Sequence, residues 1–283
     1  MSKLVKTLIA AAALLSAYAA GAGNNAVDSV TAHVPDQSNT KRNDPKWLKG
    51  KATAGQSFVP TSNMISFLYV NIFAASLENK FVTKHERKKD DGLRLRLIEL
   101  KDVQTQETEA IFCPVSTTIG GKDFFEINKP LTPQTPYYFE FSVAPESQDT
   151  FYYWIQYGGN NYQAGDVYLN GKKWTGSDLG FTTYYPVKLD EKNTIIEKLP
   201  EIFEIHFTKN LDKNKVNVFI SGPCGISKGK KTWKGDDIIF LGPVELKTYS
   251  LAEVAYRLYV SYFDEDDKKY KTVTIPFTYK RKD

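Results

Sequence analysis

The sequence predicts an all-β chain: two consecutive β-sandwiches behind a signal peptide and a flexible segment. Three observations carry that expectation. Apolar residues recur with a period of two in many short runs, and Gly-, Pro- and Asn-rich turns separate those runs. Helical periodicity is scarce throughout.

The N-terminus comes first. Lys3 and Lys6 precede an apolar run from Leu8 to Leu15, then the small residues "SAYAAGAG". A basic start, an apolar stretch too short to span a bilayer, and Ala17-x-Ala19 or Ala20-x-Ala22 as a cleavage site together read as a secretory signal peptide over residues 1–22. The expected location is therefore secreted, cell surface or periplasm, with no membrane insertion after cleavage. Residues 23–48 are polar and aperiodic ("NNAVDSVTAHVPDQSNTKRND") and read as a flexible segment, with His33 solvated in it.

Residues 49–185 form the first predicted sandwich. In "YYFEFSV", Tyr137, Phe139, Phe141 and Val143 share one parity, with Tyr138, Glu140 and Ser142 on the other. Phe124–Ile127, Leu93–Leu97 and Met64–Phe73 also read as strands, the last central because it is apolar on both faces. "KPLTPQTP" and Gly158-Gly159-Asn160-Asn161 are turn signals. The mixed-charge run from Lys84 to Gly92 reads as a solvated loop. Residues 186–283 restart the pattern as a second sandwich. Phe203, Ile205 and Phe207 lie on one face, with Glu204 and His206 toward solvent; Val216, Val218 and Ile220 follow suit. Val273, Ile275 and Phe277 do so too, with Pro276 suggesting an edge strand or bulge.

Two resemblances rest on these residues. "GQSFVPTSNMISFLYVNIF", "KPLTPQTPYYFEFSV" and "YYWIQYGGNNYQAGDVYLNGKKWTGSDLGFTTY" follow, in order, the pattern of the jelly-roll-like module of bacterial choice-of-anchor extracellular proteins: Q-x-F, L-x-P-x-x-x-Y-Y, Y-x-W, G-x-x-W and D-L-x-F. The resemblance covers roughly Gly50 to Tyr185, departing from the pattern between Phe73 and Leu93. It implies an architecture like that of carbohydrate-binding modules, with no catalytic role. "LPEIFEIHFTKNLDKNKVNVFISG" resembles bacterial Ig-like domains at Leu199, Pro200, Phe207, Thr208, Leu211 and Asp212, and implies a spacer on a surface protein.

Charge and motifs narrow the function. The formal net charge is +4, and losing the leader's two lysines leaves about +2, too balanced to call for nucleic acid. No H-E-x-x-H, G-x-S-x-G, phosphate loop or C-x-x-C is present, so the expectation is not an enzyme, with no catalytic residues. His33, His85 and His206 are too scattered for a metal site, and Glu204 and His206 can at most hydrogen-bond on one strand face. The acidic turn Asp264–Lys269 lacks calcium-loop spacing. No cofactor is expected. A structural calcium ion is a minority reading, with loops near Asn160, Asn161, Asp166 and Asp178 converging on it. Cys113 and Cys224 read either as a bridge between the halves or as two buried thiols.

Eleven of the 36 residues from Phe151 to Pro186 are aromatic, against 13% for the chain. Parity sends Phe151, Tyr153, Ile155, Tyr157, Val167, Leu169, Leu179 and Phe181 inward. Left over are Tyr152, Trp154, Tyr162, Tyr168 and Trp174, with Asn160 and Asn161 beside them. Rings with neutral amides suit the C–H face of a sugar or another protein. The expected function is thus an exported, non-catalytic binding protein whose partner is a polysaccharide, through this patch. The alternative is a structural or assembly subunit that uses the patch against a surface protein; the remaining reading has Trp154 and Trp174 closing the sandwich core.

Overall fold

The computed structural model describes residues 25–40, 44–76, 93–100, 116–145, 151–159 and 162–282. The predicted leader, the loop Lys84–Gly92, Cys113, Asn160 and Asn161 lie outside the described residues. The strands of the first half are β1 (Val27–Asn39), β2 (Asp44–Leu48), β3 (Thr53–Phe58), β4 (Met64–Val70), β5 (Ile72–Ser76), β6 (Leu93–Glu99), β7 (Ser116–Ile119), β8 (Lys122–Pro130), β9 (Tyr137–Val143), β10 (Phe151–Tyr157), β11 (Val167–Leu169), β12 (Lys172–Trp174) and β13 (Phe181–Leu189). The second half holds β14 (Thr194–Ile196), β15 (Ile202–Phe207), β16 (Val216–Gly222), β17 (Gly225–Ser227), β18 (Lys231–Lys234), β19 (Ile238–Leu241), β20 (Glu253–Asp264) and β21 (Lys269–Lys280). No helix among the described residues is long and apolar enough to cross a membrane. The chain is all-β.

The organising element is one eight-stranded antiparallel sheet, ordered β18-β19-β15-β1-β13-β4-β8-β7. It draws strands from both halves, and Pro186 lies inside β13 rather than between elements. The sheet curls until its two edge strands meet. There the Gly120 amide donates to Thr232 Oγ1 at 3.3 Å, and Lys234 Nζ pairs with Glu126 Oε2 at 2.7 Å. Gly120 makes the closure possible. Its φ is +61°, and a Cβ there would lie 2.1 Å from the Gly242 carbonyl oxygen.

The inner strands of this sheet pack on both faces. The inner face packs Phe67, Ile119, Phe124, Tyr184, Ile202 and Phe240 into a small aromatic core shared by both halves. The outer face serves two separate sandwiches. Ile65, Leu68, Val70, Phe125 and Phe181 meet Phe139, Phe141 and Val167 from the five-stranded sheet β12-β11-β3-β9-β6. Val30, Ala32, Phe203, Ile205 and Ile239 meet Ile220, Leu258 and Phe277 from the five-stranded sheet β14-β21-β20-β16-β17. A three-stranded sheet, β2-β10-β5, completes the first half.

Three expectations change. The segment taken as flexible contains β1, a 13-residue strand between β13 and β15. Its Val30, Ala32 and Val34 alternate with polar residues, as a strand requires, and its two neighbours supply the rest of its burial. Glu204 lies on the inner face of the curled sheet beside the buried His33, while His206 next to it stays half-exposed at 35%. Pro276 sits in an inner strand, where the parallel neighbour β14 reaches only Phe277–Tyr279 and leaves the flank at Pro276 without a ladder partner.

Candidate functional site

The predicted aromatic patch does not assemble as one surface. Tyr162 is only 8% exposed, and its ring packs edge-on to Phe181 in the first core. Its hydroxyl donates to Gln37 Oε1 at 3.1 Å and accepts from the Val59 amide, and burial pushes its pKa up to about 12. The expectation that Tyr162 is free for a ligand is therefore corrected: the ring is wanted inside, and Gln37 gives its polar end a partner. Trp174 lies opposite Val167 on the hairpin β11–β12, packs against the same core, and stands edge-on to Tyr157 at 5.4 Å. Tyr168, one residue on, faces the other way and stands edge-on to Tyr138 at 5.1 Å. Tyr168 and Trp174 thus lie on opposite faces of one hairpin. Tyr152 and Trp154 are on β10, where Trp154 is in register with Trp47 and Phe73; their side chains lie outside the described residues.

Polar residues of the first half are spent on the fold. Gln56 accepts from the Leu179 amide at 2.9 Å and donates to Asp178 Oδ1, while Asp178 Oδ2 accepts from the Tyr162 amide. Two pieces of sequence far apart in the chain, Q-x-F and D-L-x-F, meet through these bonds. Asp166 pairs with Lys173 at 2.8 Å. Among the described residues, no group of three or more His, Cys, Asp or Glu side chains is placed to hold a metal ion. In the acidic turn, lysines occupy the carboxylates: Lys209 and Lys271 bind Asp264, and Lys215 and Lys268 bind Glu265. Cys224 carries a free thiol, directed at the Lys247 carbonyl.

Inside the curled sheet a chain of polar side chains links the halves. His33 Nδ1 lies 2.9 Å from Ser66 Oγ, and its Nε2 lies 3.0 Å from Glu204 Oε2; Glu204 Oε1 in turn lies 2.8 Å from His206 Nε2. His33, expected to be solvated, is 2% exposed. A register shift between Ile65 and Phe67 lets both Ser66 and Phe67 meet the imidazole. Burial pushes the Glu204 carboxyl up, but hydrogen bonds and charge from His33 and His206 outweigh it and hold its pKa below the usual value. Ser, His and Glu in contact invite comparison with a hydrolase. The geometry answers it: Ser66 is 0% exposed, and its hydroxyl also reaches the Tyr184 carbonyl at 3.1 Å. A nucleophile needs access to a substrate, and this one has none. The chain clasps the halves together.

The outward face of sheet β14-β21-β20-β16-β17 is different. Along β20, burial alternates strictly, with Val254, Tyr256, Leu258, Val260 and Tyr262 inside and the odd-numbered residues outside. Yet the outside row carries Tyr259 and Phe263. Tyr259 stacks on Phe219 of β16 at 4.9 Å and 16°, and Phe263 meets Tyr270 of β21 at 5.3 Å. Ile226 on the edge strand β17 is 62% exposed. Between them stand neutral Ser261, Thr272 and Thr274. Arg257 is exposed among these residues and makes no ion pair within the described structure. Large apolar side chains gathered on one exposed sheet face mark a contact surface more often than chance decoration. The sequence alone does not single out this face, because no single strand shows that Phe219, Tyr270 and Ile226 come beside Tyr259 and Phe263.

No family model matches the sequence, and no curated protein matches it. Among solved structures, the chain is similar to a DUF4785 family protein from Legionella pneumophila at 13% identity and a TM-score of 0.24. That alignment covers 90% of this chain and 63% of the other, so this chain spans less than two thirds of that protein. A likeness at that score carries no argument about function.

Proposed function

We propose that this is an exported, non-catalytic protein that acts by binding another protein, and that its contact surface is the outward face of the sheet containing β20. The leader-like N-terminus supports export. The stacked pair Phe219–Tyr259 carries the choice of partner class. Two rings 4.9 Å apart and nearly parallel have spent one face on each other. That leaves less open ring face on which a sugar could stack. Aromatic rings around Arg257, which makes no ion pair in the described structure, with hydroxyls between, match the make-up of protein interfaces, where Tyr, Phe and Arg are enriched. The buried state of Ser66 supports the non-catalytic part.

The test is a photo-crosslinking amino acid placed at Tyr259 in the producing cell, with a second placed at the exposed Lys188 as control. An adduct of defined mass at Tyr259 alone is the expected result. Equal labelling at both positions, or none at Tyr259, would sink the reading.

One observation favours glycan binding as a second reading. Tyr168 keeps part of its ring exposed, edge-on to Tyr138 and beside the Lys173–Asp166 pair. Affinity electrophoresis on polysaccharide gels, with and without calcium, checks it. Retention that disappears in Tyr168→Ala would shift the contact surface to the first half.

A further inference from the structure

Resting on that reading of the outward face, we infer that its occupant is a second copy of this chain, packed face to face across a two-fold axis at Ala255. The inference comes from the order of residues along β20. Read outward on both sides of Ala255, the outward row of β20 holds Glu253 on one side and Arg257 on the other, with the half-buried Tyr259 beyond Arg257. Glu253, Ala255 and Arg257 are exposed.

An isologous contact makes residue i meet residue j and j meet i. With two β20 strands antiparallel about Ala255, Arg257 of each copy meets Glu253 of the other. The small side chain falls on the axis, where two identical residues must share space. Within one copy, Glu253 and Arg257 lie about 13 Å apart along the strand and have no means of pairing. Neither makes an ion pair in the described structure, and Lys280, in register with Glu253, makes none with it. Two opposite charges equidistant from an alanine, neither with an ion pair in the described structure, are self-complementary. Aligned sheets pack about 10 Å apart with strands crossing at roughly 30°. The match is therefore closest near the axis, where the charges sit, and the stacked rings extend the contact outward.

The experiment is sedimentation velocity on the full chain over a concentration series, with Glu253→Arg, Arg257→Glu and the double exchange. Both substituted positions are exposed, so melting temperatures should stay together and report intact folding. The expected result is a wild-type dimer, about tenfold or more weaker association in each single variant from like-charge juxtaposition, and recovery in the double exchange. Ala255→Lys, which brings two like charges together at the axis, should be monomeric. A wild type that stays monomeric to its solubility limit overturns the inference, as do single variants that associate as the wild type does. A monomer that still gives a Tyr259 adduct to a different protein overturns the second copy while leaving the contact face standing. A monomer with no Tyr259 adduct removes both.

Discussion

Replacing Gly120 by alanine tests how the eight-stranded sheet closes. Gly120 and Gly121 form the turn between β7 and β8, and both have positive φ, +61° and +92°. An alanine at either position costs backbone strain of about 1–2 kcal/mol. Their surroundings differ. A Cβ on Gly121 meets nothing within 4 Å, whereas one on Gly120 lies 2.1 Å from the Gly242 oxygen and 2.5 Å from Pro243 Cδ. The Gly120 variant must push the turn away from the second half, adding about 1–3 kcal/mol of overpacking. It also loosens the Gly120–Thr232 hydrogen bond. Gly120→Ala should therefore cost roughly 2–5 kcal/mol and Gly121→Ala about 1–2, against a total stability of order 5–15. With a urea m-value of about 2–3 kcal/mol/M, the two midpoints should separate by about 0.3–1.5 M. Equal midpoints would refute the seating of this turn against Gly242, and with it the closure of the sheet.

Other expectations can be checked in the same way. Phe240→Ala removes a ring from the inner core that both halves share, and should lower stability by about 3–5 kcal/mol; limited proteolysis should then cut both halves together, not the second alone. Tyr162→Ala should also cost about 3–5 kcal/mol, while Tyr168→Ala, on the hairpin's other face, should melt at least a few degrees higher than it does. For acid lability, the depressed pKa of Glu204 means its contribution is whole above the ordinary carboxylate pKa and is lost as pH falls through the folded value. Asp264, held well below its ordinary value chiefly by the hydrogen bond from Lys271, acts with the same sign. Urea midpoints should thus fall as pH drops below about 4.5, and Glu204→Gln should flatten that fall while lowering stability at pH 7.

The sequence carried the all-β class and the inward rows because those depend on local alternation. Tyr137, Phe139 and Phe141 face a core whatever strand lies next to them, and so do Val167, Leu179 and Ile205. What it did not show is which face of a polar row is buried. Ser29, Thr31 and His33 on β1, and Glu204 and His206 on β15, look solvated when read singly. They alternate with Val30, Ala32, Phe203 and Ile205 and turn inward only because the sheet curls. Hydrogen bonds such as His33–Glu204 then replace the missing water. Tyr162 failed for a related reason. Its polar partner Gln37 lies in the stretch that composition alone assigned to disorder.

The position of β1 has a consequence for the order in which the chain acquires its structure. Among the described strands it is synthesised before the others, yet both of its neighbours, β13 and β15, begin only at Phe181 and Ile202. Until Phe207 has been synthesised, β1 has no permanent place, and the strands that will flank it have open edges. Pairings between such distant segments incur a large loop-closure entropy before any contact is made, so folding of this sheet should be slow and late. The unpaired edges of β13 and β15 are meanwhile templates for any other strand. A chain trimmed of residues 27–39 would keep those edges for good, and its fate would be governed by aggregation.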